Sequence, residues 1–145
     1  MAFYARTVDG VEVAFSDVGV SDGNAATLVL IHGLGSYMPV WQRNLDALAQ
    51  HHRVVAIDLP GYGKSPKARE GLTMADIAQA CWEAIDDAYP GERAILVGCS
   101  IGSSMLIWMH NHRPLKTAAL IMCGTGYNPK KEFIPARIEI GRAHV

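Results

Sequence analysis

An α/β fold, with a largely parallel sheet and helices on both of its faces, is predicted by three observations. Short apolar runs recur at residues 27–31, 54–57, 94–97 and 117–123, each of strand length and apolar enough to be buried on both faces. Between them lie stretches with apolar residues at helical spacing, so the chain is carried back over the sheet before each new strand. The first three runs end in glycine-containing turns at 32–35, 58–65 and 98–102.

Taken in order, residues 3–7 and 11–15 are β-type runs joined through Asp9-Gly10, a strong hairpin signal, so the chain begins with antiparallel strands. A loop rich in Gly, Ser, Asp and Asn follows, and then the run Thr27-Leu28-Val29-Leu30-Ile31. The next helix is marked by Pro39 near its start and by Trp41, Leu45 and Leu48, and is expected to end near His51-His52. A strand at 54–58 leads into a loop dense in turn formers. Thr73 with Asp76 has the pattern of an acidic capping box for a helix that turns Met74, Ile77, Cys81, Ile85 and Ala88 inward and stops at Pro90. The strand at 94–97 breaks into a helix carrying Met105, Leu106 and Met109, closed by Arg113-Pro114, and an apolar strand at 117–123 follows.

The 145 residues fit one domain, and with 50% of them hydrophobic the chain can fill a core. A net charge of −1, with acids and bases interspersed, gives no electrostatic footprint for nucleic acid or an anionic membrane. No basic segment precedes an apolar core at the N-terminus and no apolar run approaches a membrane span, so a cytoplasmic location is expected. Cys81, Cys99 and Cys123 are odd in number, widely spaced and set among apolar residues; reduced core thiols are expected, with no disulfide and no zinc site.

The most informative stretch is Gly98-Cys99-Ser100-Ile101-Gly102, between a strand and a helix. A serine hydroxyl is a poor nucleophile at neutral pH unless it is presented to a base and to oxyanion donors. The G-x-S-x-G spacing forces the serine into strained geometry, while the glycines remove side chains that would collide with strand and helix. Ile101 opens the helix, so its N–H is free at the positive end of the dipole. His32-Gly33-Leu34-Gly35, after another strand, lets a second backbone N–H turn toward the end of the sheet, and Leu34 is the candidate donor.

With Asp58-Leu59-Pro60-Gly61-Tyr62-Gly63-Lys64-Ser65 after the intervening strand, these motifs resemble the N-terminal half of an α/β-hydrolase over roughly residues 3–127. The resemblance implies that Ser100 is the nucleophile and that the N–H groups of Leu34 and Ile101 form the oxyanion hole. His32, Gly33, Gly35, Asp58, Gly98 and Gly102 would support the loops, with Ser65. Ser103 stands where many relatives have a second glycine, and Cys99 reads as a packing residue. A serine at the elbow implies acyl transfer through a covalent acyl-enzyme on a small-molecule ester or related acyl substrate, with no metal or organic cofactor. A carbon–carbon bond hydrolase, an amidase or peptidase, and a non-catalytic binding protein on the same fold stay open as alternatives. Oligomeric state is left open.

The family order places an acid and then a histidine after the serine, and the only histidine beyond Arg113 is His144. The expectation is therefore a truncated chain: a core at 1–126, the start of a lid at 127–139, and missing C-terminal strands. Ile140-Gly141-Arg142-Ala143-His144-Val145 is what ATC GGA AGA GCA CAC GTC encodes, the start of a common sequencing adapter, so residues 140–145 are expected to be a scar. Such a fragment would be inactive and poorly soluble, with an unpaired edge strand.

Two rival motifs are weaker. Gly33-x-Gly35 with Asp58 suggests a dinucleotide-binding oxidoreductase, but Met38 stands where a third glycine or alanine belongs. Gly63-Lys64-Ser65 resembles the end of a phosphate loop, but Asp58 replaces its first glycine and Pro66 interferes with the helix. His110 and His112 are two apart on a helix and share no face for a metal; near a helix C-terminus their positive charge would be welcome.

Overall fold

The computed structural model describes residues 1–20 and 25–124. Strands β1 (Ala2–Val8) and β2 (Val11–Val18) pair antiparallel with Val8 opposite Val11, which leaves Asp9 and Gly10 as a two-residue loop. Both loop residues have positive φ, 49° and 78°, the backbone twist that lets two strands return directly alongside each other.

The chain continues through β3 (Thr27–Ile31), a 3₁₀ turn (Met38–Trp41), α1 (Gln42–Ala49), β4 (Val54–Asp58), α2 (Met74–Ala88), β5 (Ala94–Cys99), α3 (Ile101–His112) and β6 (Thr117–Cys123). The six strands form one sheet in the order β1-β2-β4-β3-β5-β6, antiparallel as far as β4 and parallel from there on. This is the predicted α/β architecture. The helix expected from Pro39 onward is divided, because its first turn is 3₁₀, with Val40 N–H bonding the Tyr37 carbonyl, and only Gln42–Ala49 is α-helical. The capping box at α2 is formed: the Thr73 hydroxyl accepts from Asp76 N–H, and the Asp76 carboxylate accepts from Thr73 N–H.

The sheet separates two apolar clusters. On the face covered by α2 and α3, Phe15, Ile57, Trp82, Leu96 and Met109 belong to the larger core. On the α1 face, Leu28, Leu30, Met38, Leu45, Val54 and Ala56 form a smaller one. Because α2 packs against β1 and β2 and also against α3 beside it, it buries more than the single stripe expected of it. Trp82, off that stripe, is fully buried, and its indole N–H donates to the Met109 carbonyl at 2.6 Å.

Two expectations need correction. Of the three cysteines only Cys81 is a buried core thiol; Cys99 is half-buried and Cys123 exposed. The reason is that β6 is the last strand of the sheet among the described residues, and no described helix covers its α1 side. The second concerns His110 and His112, in the last turn of α3, where the helix dipole would welcome charge. Burial outweighs it and holds both imidazoles below their ordinary pKa; His112 is also lowered by Arg113, against Glu83 and Asp86. A histidine whose folded pKa is depressed contributes stability that is present above its unfolded pKa and is lost as pH falls through the folded one. Thermal stability should therefore drop below the ordinary value of 6.5, and His110→Gln with His112→Gln should flatten that drop in melts run from pH 7.5 to 5.

Candidate active site

Parallel neighbours β4, β3 and β5 deliver their C-terminal ends side by side, so the three glycine-containing turns meet at one edge of the sheet. Ser100 stands there with φ 54° and ψ −118°, exposed, between the last residue of β5 and the first of α3. A non-glycine residue in this region stores roughly 1–3 kcal/mol of strain, and the surroundings fix it. The Ser100 N–H donates to the Cys123 carbonyl at 3.0 Å, and its carbonyl accepts from Ser103 N–H at 2.9 Å.

Gly98 and Gly102 allow the close approach that creates this turn. A Cβ on Gly98 would lie 2.6 Å from the Gly102 carbonyl, and one on Gly102 would lie 2.4 Å from the Ile31 carbonyl oxygen and 2.6 Å from that of His32. The helix is thus pressed against the ends of two strands. Ser103 fits where a glycine is usual: it is fully buried, and its hydroxyl donates to the Gly98 carbonyl at 2.9 Å. Relieving the strain has a predictable outcome. Ser100→Gly should raise stability by about 1 kcal/mol, the stored strain less the entropy glycine loses on folding, read in denaturant melts.

The 32–36 turn lies against the serine, since a Cβ on Gly33 would stand 3.4 Å from the Ser100 Cβ. Leu34 is exposed at its tip and Gly35 has φ 71°, so the backbone reverses directly after Leu34. No hydrogen bond among the described residues takes up the Leu34 N–H. Ile101, as the first residue of α3, likewise has no intrahelical acceptor.

His32 is fully buried and both of its nitrogens are engaged. Nε2 accepts from Leu59 N–H at 3.0 Å, so the ring hydrogen sits on Nδ1 and is donated to the Gly33 carbonyl at 2.8 Å. Tyr62 packs edge-on against the ring, 5.1 Å between centroids. Asp58, also buried, fastens the neighbouring loops: one carboxylate oxygen accepts from Met38 N–H at 2.6 Å and the other from Lys64 N–H at 2.8 Å. These bonds take Asp58 away from any ribose-binding role. Lys64 extends its ammonium over the Phe3 ring, 4.8 Å from the centroid, and is not turned into a phosphate cradle.

Gly63 and the Met38 N–H are parts of this support that the motif reading did not assign. The signal lay in the glycine: Gly63 has φ 52°, and a Cβ there would fall 2.1 Å from the Asp58 carboxylate. Ser65 completes the set, donating to the Asp58 carbonyl at 2.5 Å and accepting from Ala14 N–H at 2.8 Å. Ser65→Ala removes the donor and leaves a buried N–H without its acceptor, so a loss of about 2 kcal/mol is expected in urea melts.

A cavity of about 550 Å³ opens elsewhere, between β1, the 3₁₀ turn and the 58–65 loop, lined by Phe3, Ser16, Tyr37, Met38, Leu45 and Lys64 among others. Ser100 is not among its described walls. No helix among the described residues is long and apolar enough to cross a membrane. The segments expected to begin a lid (127–139) and to be an adapter scar (140–145) lie outside the described residues.

A sequence model of the alpha/beta hydrolase fold family matches residues 26–143. The chain belongs to that family. This α/β-hydrolase chain is 30% identical over 143 residues to a 2-hydroxy-6-oxononadienedioate/2-hydroxy-6-oxononatrienedioate hydrolase of Paraburkholderia phymatum, covering 94% of this chain and 49% of the relative. It is 39% identical over 90 residues to a pimeloyl-[acyl-carrier protein] methyl ester esterase of Vibrio cholerae, covering 62% and 33% of the two chains. Among solved structures, Cfl2 from Burkholderia cenocepacia superposes with a TM-score of 0.80 at 27% identity, over 96% of this chain and 46% of that one. The chain thus spans about half, or less, of the relatives that it matches, and their names include a hydrolase, an esterase and an acetyltransferase component of an acetoin cleaving system.

Proposed function

We propose that this α/β-hydrolase chain carries the nucleophile and the oxyanion side of a serine hydrolase acting on a carboxylic ester. The supporting observation is the strained, exposed Ser100, held at φ 54° by two glycine contacts with backbone. The Ser100 hydroxyl attacks the acyl carbon, and charge builds on the carbonyl oxygen. The N–H groups of Leu34 and Ile101 receive that oxygen, and losing one such donor costs roughly 3–4 kcal/mol of transition-state stabilisation.

The serine proton must pass to a base. His32 cannot take it, because its Nε2 already accepts from Leu59 N–H. His110 and His112 follow Ser100 by ten and twelve residues along α3, about 15 and 18 Å away by helical rise. His51 and His52 precede β4, at the other end of the sheet from the turns. The base is therefore none of the described histidines, and water delivery and deacylation depend on it.

A second reading, a carbon–carbon bond hydrolase working through the same serine, is favoured by the relative that matches 94% of this chain. The test is made with the product of the complete open reading frame, comparing kcat/KM on p-nitrophenyl acyl esters with that on a vinylogous diketone. Preference for the ester supports the proposal, and preference for the diketone replaces it with the second reading. No turnover of either, together with no phosphonate labelling, favours a binding protein.

A further inference from the structure

Cys99 and Cys123 are register partners at the C-terminal ends of the parallel strands β5 and β6. Leu96 in β5 is buried in the larger core and Met122 in β6 packs against it, so by strand alternation both cysteines lie on the opposite face of the sheet. Neighbouring strands run about 4.7–4.9 Å apart, inside the roughly 4.4–6.8 Å Cα separation that a disulfide bridges. Exposure divides the roles, since Cys123 is open to solvent and Cys99 is half-buried beside it. Cys81 is the internal contrast: it is fully buried, and burial pushes its thiol up to about 12, so it is withheld from thiolate chemistry.

We propose that Cys99 and Cys123 form a reversible thiol-oxidation site that takes a peroxide as oxidant and closes to a disulfide beside Ser100. The Cys123 thiolate attacks one peroxide oxygen, the O–O bond breaks, and the departing hydroxide takes up a proton as water. The sulfur is oxidised to sulfenic acid and the peroxide is reduced. The Cys99 thiol then attacks the sulfenic sulfur, forming the S–S bond and expelling a second water. In total, two thiols and one hydrogen peroxide give one disulfide and two waters. Because the Ser100 N–H is bonded to the Cys123 carbonyl, the bridge ties together the two backbone segments that set the serine turn.

The experiment exposes the reduced protein to a small excess of hydrogen peroxide, alkylates it in denaturant, and maps peptides from an unreduced tryptic digest by mass spectrometry. Cleavage at Lys116 places the two cysteines on separate peptides. The expected result is a Cys99–Cys123 linked pair that dithiothreitol dissolves, with Cys81 alkylated throughout. Cys123→Ser, at an exposed position, should abolish the link without changing the melt, while in Cys99→Ser the remaining Cys123 should pass on to sulfinic and sulfonic acids. Over-oxidised Cys123 beside a free Cys99 in the unsubstituted protein would overturn the proposal. So would two alkylated thiols, or a Cys123 link between two chains.

Discussion

On the proposed mechanism, replacing Ser100 by alanine in the product of the complete open reading frame should lower ester hydrolysis by about a million-fold in kcat, because removing a catalytic nucleophile costs nearly as much as removing the whole catalytic group. The loss should not come from unfolding. Alanine carries the same Cβ into the same φ of 54°, keeps the N–H bond to the Cys123 carbonyl and keeps the carbonyl bond from Ser103. Melting temperature should therefore stay within a degree or so of the parent while hydrolysis falls to background. A variant that keeps a tenth of its activity would remove Ser100 from the reaction. The opposite dissociation is expected of Ser100→Gly, which should be more stable and equally dead, since glycine adopts the φ of 54° without the strain a side chain stores there.

Gly102→Ala should produce a large stability loss from a single added methyl group. The new Cβ would meet the Ile31 carbonyl oxygen at 2.4 Å and the His32 carbonyl oxygen at 2.6 Å, and both obstacles are backbone of a buried strand end. A flexible side chain could swing aside; a strand held on both sides by its neighbours cannot. Overpacking of this kind costs about 3 kcal/mol at the upper end of its usual range. That corresponds to a fall in melting temperature of roughly 10 °C for a domain of this size. Activity should fall with it, because displacing α3 from β3 moves the Ile101 N–H away from the 32–36 turn. Gly35→Ala is a useful contrast: a Cβ there meets nothing within 4 Å, so any cost comes from its φ of 71° alone.

Much of this was legible from residues because it was local. Asp9-Gly10 specified the hairpin, Thr73 with Asp76 specified the start of α2, and the apolar runs specified β3 and β4, where all five residues of each strand are buried. The turn at Ser100 was readable for the same reason: two glycines flanking a serine between strand and helix have few other uses. What periodicity could not supply was anything decided by a distant partner. Trp82 lies off the apolar stripe of α2 and is buried where α2 meets α3, which offers the Met109 carbonyl. Asp58 reads from its motif as a loop-fixing residue, yet its two bonds go to N–H groups at Met38 and Lys64, twenty residues before it and six after. The exposure of Cys123 depends on what covers β6, and an apolar strand sequence carries no record of that. His110 and His112 show a competition that sequence position alone resolves the wrong way, since the helix terminus favours charge and burial opposes it more strongly.

The central claim is that Ser100 is an activated acyl nucleophile. The most direct test is to incubate the product of the complete open reading frame with a fluorophosphonate and locate the adduct by peptide mapping. One phosphonyl group per chain on Ser100, absent from Ser100→Ala and slowed by a competing ester, is the result predicted. An unlabelled Ser100 in a folded, full-length protein, or an adduct on another residue, would contradict the account.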